Sequence, residues 1–141
     1  MATVEMSFTP LPVHVRTARL VATAVARRSG VEEALLDEVR LAVGEACSRA
    51  VHLHRAHCPD RPVTVTLVDD TTAFRVAVAD EAPPAEAEMT LDELTEAADL
   101  DADAVPPGVG LAVISGLVDD VSVEQGRGGG VVVRMTWPIV A

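Results

Sequence analysis

The sequence contains no lysine, no tyrosine and no asparagine. Aromatic residues make up only 2% of it, so a core has to be built from valine, leucine and alanine. Two cysteines, Cys47 and Cys58, are too few for a disulfide framework. No apolar run reaches the roughly 20 residues that span a bilayer. The opening Thr3-Val4-Glu5-Met6 alternates, which is not the pattern of a signal peptide. A cytoplasmic location, with no membrane partner, is the default expectation. Positive charge is scarce as well. The formal net charge of −11 makes free nucleic acid a poor partner, because holding phosphates takes a basic footprint.

What is present suits one packed α/β domain over residues 1–141, with 49% apolar residues. The charge is unevenly spread. No arginine occurs between Val76 and Gln125, yet this stretch holds Asp80, Glu81, Glu86, Glu88, Asp92, Glu93, Glu96, Asp99, Asp101 and Asp103, then Asp119, Asp120 and Glu124. Most arginines precede Pro62. The acidic stretch reads either as a solvated face that aids solubility or as a docking surface for a basic protein.

Residues 3–8 alternate as a strand. Pro12 starts a helix with Val15, Ala18, Val21, Ala22 and Val25 on one face, and Ser29-Gly30 ends it. A second helix is expected from about Val31 to about Arg55, with Glu32, Glu33 and Asp37 in its early turns. Val63–Leu67 and Phe74–Val78 alternate around Asp69-Asp70 and read as an antiparallel pair. Residues 81–107, rich in proline, alanine and acid, read as a lid or loop. Gly108-Val109-Gly110 opens a helix to about Leu117. Val121–Val123 and Val131–Trp137 are strands joined by a glycine turn. The expected architecture is a two-layer α/β sandwich, a mostly antiparallel sheet covered on one face by helices.

Four features carry possible chemistry. Gly108 and Gly110 let the backbone approach a ligand at a helix N-terminus, or simply make a turn. Asp80 ends a strand, where its carboxylate either accepts a ligand amine or closes a turn. Glu45 is either a general base facing a pocket or the i,i+4 partner of Arg49. His52, His54, His57 and Cys58 are metal-ligand types at a helix C-terminus, where histidines also complement the helix dipole.

The order of these features resembles the GHKL, or Bergerat-fold, ATP-binding domain: a helix with Glu45, the strand-end Asp80, an acidic lid, Gly108-Val109-Gly110-Leu111 and a glycine-led final strand. Within it, the runs "LDEVRLAVGEA" and "GVGLAVISGLVDDVSVE" resemble the small bacterial anti-sigma factors that are also protein-serine kinases, of the sporulation and stress-response type, in their actinobacterial branch. The resemblance implies an anti-sigma factor that sequesters an RNA-polymerase sigma factor and is released by a STAS-type anti-anti-sigma protein. It also implies homodimers. Glu45 matches the base position, Asp80 the residue that contacts adenine, and Gly108 and Gly110 the second glycine motif. Other positions depart from the pattern. Arg49 stands where the family has a Mg²⁺-ligating asparagine, and a guanidinium cannot ligate a hard cation. Ala82 and Pro84 replace the glycines of the first motif, and Gly130-Val131 lacks the hydroxyl of the usual Gly-Thr. Weak or absent kinase activity and no Mg²⁺–ATP cofactor are therefore expected; the alternative is Mg²⁺-independent nucleotide binding, with Arg49 meeting a phosphate directly. The rival readings are an active ATP-dependent serine kinase acting on its STAS partner, and a metal sensor built on the histidines.

Overall fold

The computed structural model describes residues 2–82, 114–126 and 129–139. Period-two alternation of valine with threonine, arginine and glutamate produces five strands: β1 (Ala2–Phe8), β2 (Val63–Asp69), β3 (Ala73–Ala79), β4 (Asp120–Gln125) and β5 (Val131–Pro138). They form one antiparallel sheet in the order β1-β2-β3-β5-β4. The register stacks apolar side chains in rows across the strands. One row runs Val4, Leu67, Val76, Met135, Val121; the next runs Met6, Val65, Val78, Val133, Val123. Such same-face pairs are the unit of sheet stabilisation. The β2–β3 turn is tied by Asp70, whose carboxylate accepts from the Thr72 and Ala73 N–H groups, from the Thr72 hydroxyl and from Arg75. These bonds, led by that from the Thr72 backbone, hold the Asp70 carboxyl below its usual range.

Two helices cover the valine face: α1 (Pro12–Ser29) and α2 (Leu36–His57). Pro12 occupies the first turn of α1, where a missing N–H costs nothing. Gly30, at φ 107°, closes it: Gly30 N–H donates to Arg27 O and Val31 N–H to Ala26 O. This is a Schellman cap, and Val31 is buried beside it. The cap corrects the expected start of the second helix. Glu32, at φ −56° and ψ 141°, lies outside the helical region, so the chain leaving the cap does not run on as α-helix from Val31. Glu33–Leu35 make one 3₁₀ turn, and α2 begins at Leu36 with Asp37 and Glu38 in its first turn. Glu32 lies outside it.

Alanines make the helix layer thin. Ala18, Ala22 and Ala26 on α1 and Ala42, Ala46 and Ala50 on α2 are all buried. At Gly44 a Cβ would sit 2.6 Å from Arg19 Cδ, so this glycine lets Arg19 lie across α2. Trp137 and Phe74 pack with ring centroids 6.1 Å apart, and Trp137 Nε1 donates to Glu38 of α2 at 3.0 Å. The other sheet face carries the exposed Arg75 and Arg134 and half-buried threonines. The two-layer sandwich with one covered face is thus the observed architecture. Among the described residues no helix is long and apolar enough to cross a membrane. Gly108, Gly110 and all but the first two residues of the acidic segment 81–107 lie outside the described residues.

Both cysteines are free thiols. Burial pushes the Cys47 thiol up to about 12 against a small opposing pull from Arg19. Cys58 is raised too, first by burial and then by Glu81 and Asp80. Since the thiolate is the nucleophile, Cys47 should resist alkylation at neutral pH in the folded protein. Cys58, partly exposed, should react slowly, and both should react fully in urea; iodoacetamide labelling followed by mass spectrometry checks this.

Candidate functional site

The site forms where α2, the end of β3 and the start of β5 meet. On α2, residues 42, 46, 49 and 53 follow one stripe at helical spacing, and Ala42, Ala46, Arg49 and Leu53 are all buried. An arginine is therefore carried inward with the apolar residues. Its Nη1 donates to Asp80 Oδ2 at 2.8 Å, and the two side chains are only 2% and 1% exposed. Arg49 does not pair with Glu45, one helical turn earlier, which corrects the i,i+4 expectation. Glu45 is half-buried and forms no ion pair among the described residues.

Asp80 continues the β3–β5 pairing past the last ladder residue. Its N–H donates to Val131 O at 2.9 Å, and its Oδ1 accepts from Val131 N–H at 3.3 Å and from Ala82 N–H at 3.1 Å. Both carboxylate oxygens are thus engaged, one by a guanidinium and one by two backbone donors. Gly130 makes this approach possible: a Cβ there would lie 1.8 Å from the Asp80 carbonyl oxygen and 2.8 Å from Glu81 Cα. Ala82, at a position of the first glycine motif, is itself buried.

His54 braces the same corner. Its Nδ1 lies 2.8 Å from Arg61 O, and its Nε2 accepts from Glu81 N–H at 2.9 Å. That arrangement requires the neutral tautomer with Nδ1 donating. Arg61 Nη1 reaches Glu81 Oε1 at 3.4 Å and closes the ring. His54 is therefore a structural clamp, fully buried, while His52 is exposed on the outer side of the helix. Among the described residues no group of three or more histidine, cysteine or acidic side chains is placed to hold a metal ion. Reading residue types missed the clamp; the signal for it was His54 falling beside the inward stripe of α2.

A second feature lies on the outer surface, between α1 and α2. A groove of about 670 Å³ is lined by Arg19, Ser48, His52 and Arg55 over the buried Val15 and Val51. No acidic side chain lines it, although the chain as a whole is strongly acidic.

Removing one member of a buried ion pair leaves the other uncompensated, at a cost of about 3–5 kcal/mol. Asp80→Asn keeps an acceptor for the two backbone donors but loses the charge facing Arg49. Asp80→Asn and Arg49→Met should each destabilise the protein by about that amount, and the double variant should lose well under the sum. Additive effects in a urea-denaturation double-mutant cycle would show that the pair is not coupled. Gly130→Ala should cost about 1–3 kcal/mol through backbone overlap with Asp80 and Glu81. Gly116→Ala, where a Cβ meets nothing within 4 Å, should be neutral or slightly stabilising in the same assay.

The model of the histidine kinase-like ATPase domain family matches residues 8–137. No curated protein matches the chain. Among solved structures, the RsbU and RsbW domains of Rv1364c from Mycobacterium tuberculosis are similar, with a TM-score of 0.67 and 16% identity over 99% of this chain. This chain spans only 33% of that one. The SiaB–SiaC complex from Pseudomonas aeruginosa gives a TM-score of 0.67 at 10% identity, covering 94% of this chain and 88% of that chain. The mycobacterial sensor histidine kinase MprB gives 0.54 at 15% identity, covering 98% of each chain. At these identities the structural likeness establishes the fold, and the family match over most of the sequence establishes the rest: the chain belongs to the histidine kinase-like ATPase domain family.

Proposed function

We propose that this protein is an anti-sigma factor that works by partner switching with little or no kinase activity. It sequesters an RNA-polymerase sigma factor and is released when a STAS-type anti-anti-sigma protein takes its place. Family membership supports this reading, as does likeness to structures that include an RsbW domain and SiaB in complex with SiaC. The observation that carries the loss of kinase activity is the buried Arg49–Asp80 pair. The carboxylate that would read adenine is held by the chain's own cation. That cation stands where an oxygen ligand for Mg²⁺ would be needed, since hard cations take oxygen donors. These residues do not fit Mg²⁺–ATP.

Without phosphoryl transfer, control rests on competition between two partners for overlapping surfaces. A tenfold preference takes only about 1.4 kcal/mol, which a few interface side chains supply. The Arg19, His52 and Arg55 groove gives an acidic partner segment a complementary surface on an otherwise acidic protein. One observation favours the active-kinase alternative: Glu45 is half-buried and makes no ion pair among the described residues, leaving it free to act as a base.

The test mixes this protein, its sigma factor and the unphosphorylated STAS protein without nucleotide. Sigma should be displaced as STAS rises, no phosphoserine should appear when Mg²⁺–ATP is added, and calorimetry should detect no tight Mg²⁺-dependent ATP binding. Robust ATP-dependent phosphorylation that disappears in Glu45→Ala would establish the kinase reading instead. Arg49→Asn alone should not restore ATP binding, because Ala82 and Pro84 remain in the glycine positions.

A further inference from the structure

Arg49 has more donors than partners. Nη1 holds Asp80, whereas Nε and Nη2 are buried with no hydrogen-bond partner. They are the only buried side-chain nitrogen or oxygen atoms among the described residues left so. The two are neighbours on one edge of the planar guanidinium. That edge presents parallel N–H groups whose spacing matches the two oxygens of a phosphate or carboxylate. The edge is also fixed in direction. Nη1 is anchored on Asp80 Oδ2, and Asp80 is anchored in turn by the Val131 and Ala82 N–H groups. A donor fork that is buried, oriented and unpartnered is what a bidentate acceptor requires, and buried donors of this kind are rarely left unmet in folded proteins.

We infer that the Nε/Nη2 edge of Arg49 binds a small oxyanion, phosphate or carboxylate, without Mg²⁺ and without a nucleoside. The nucleoside is excluded by the other end of the same guanidinium, which occupies the carboxylate of Asp80. The charge balance sets the strength. Asp80 already neutralises Arg49, so a bound anion leaves one uncompensated negative charge in a buried site. Binding is therefore weak, in the millimolar range, and selects small anions over polyphosphates. Among the described residues neither Glu45 nor any other carboxylate fills the fork. This site does not depend on the partner-switching reading: failed displacement of sigma leaves it standing, and an empty fork leaves partner switching standing.

The experiment follows the Arg49 Nε–H resonance in ¹H–¹⁵N spectra of the whole protein during titration with sodium phosphate, sodium acetate or sodium chloride of matched ionic strength. Parallel titrations use adenosine, and ATP with EDTA. The resonance should move and saturate with phosphate, acetate or both, which identifies the source of the oxygens. It should stay still with chloride and adenosine, and ATP should do no better than phosphate. Thermal unfolding should show the same anions raising the midpoint above the chloride control. Arg49→Lys keeps the charge but loses the fork, and its response should fall at least tenfold. An Arg49 resonance unmoved by tens of millimolar phosphate and acetate would overturn the inference, because the edge is then met by water or by nothing. So would a response equal to that of chloride, or one that survives in a folded Arg49→Lys protein.

Discussion

A single buried ion pair organises the functional corner of this protein. Arg49 and Asp80 are both almost wholly removed from solvent. Two charges taken out of water are tolerated only when geometry and further hydrogen bonds offset the desolvation. Asp80 meets that condition with two backbone donors; Arg49 meets it on one side alone. The position of Gly130, the burial of Ala82 and the clamp by His54 all serve to bring the Asp80–Ala82 segment close enough for the pair to form. Two of the chain's own side chains thus meet in the corner where α2, β3 and β5 converge.

The rest of the fold accommodates this with few large residues. Rows of valine across four or five strands supply the sheet face, and alanine-lined helices lie on it. Small residues bring helix axes close, which offsets in packing density what is missing in aromatic area. Only at Phe74 and Trp137 does the core hold large rings, and Trp137 also pins the start of α2 through Glu38. The helix layer is thus tied to the sheet at opposite ends, by Trp137 near the first turn of α2 and by Asp80 in its second half.

Much of this was legible in the residues. Alternation located all five strands, Pro12 and Gly30 bracketed α1, and the ordered motifs pointed to the family whose model matches the chain. The start of α2 was not legible, because it depends on how the chain leaves the α1 cap: Glu32 is off the helical region and one 3₁₀ turn intervenes before Leu36. The direction of Arg49 was half legible. An arginine on the stripe through Ala42, Ala46 and Leu53 must either break the stripe or find a buried partner, but pattern alone does not say that the partner lies 31 residues away. His54 was misleading for a related reason: a histidine one turn before a His-Cys pair reads as a ligand until its ring nitrogens are seen to be occupied. Gly108 and Gly110 lie outside the described residues and carry no weight in this picture.

The way Asp80 is anchored bears on how the chain assembles. Its guanidinium partner precedes it by 31 residues and its backbone donor at Val131 follows it by 51. On the ribosome, α1, α2, β2 and β3 emerge as a contiguous block able to pair locally, and Arg49 is already present. Yet β3 stays an edge strand until the last strand is synthesised, because β5 is its neighbour. Closing so distant a contact is slow relative to local pairing. The charged corner is consequently the last part to be completed, and a nascent chain that ends before Val131 carries a half-built site next to an open strand edge, the combination that invites capture by chaperones or by another chain.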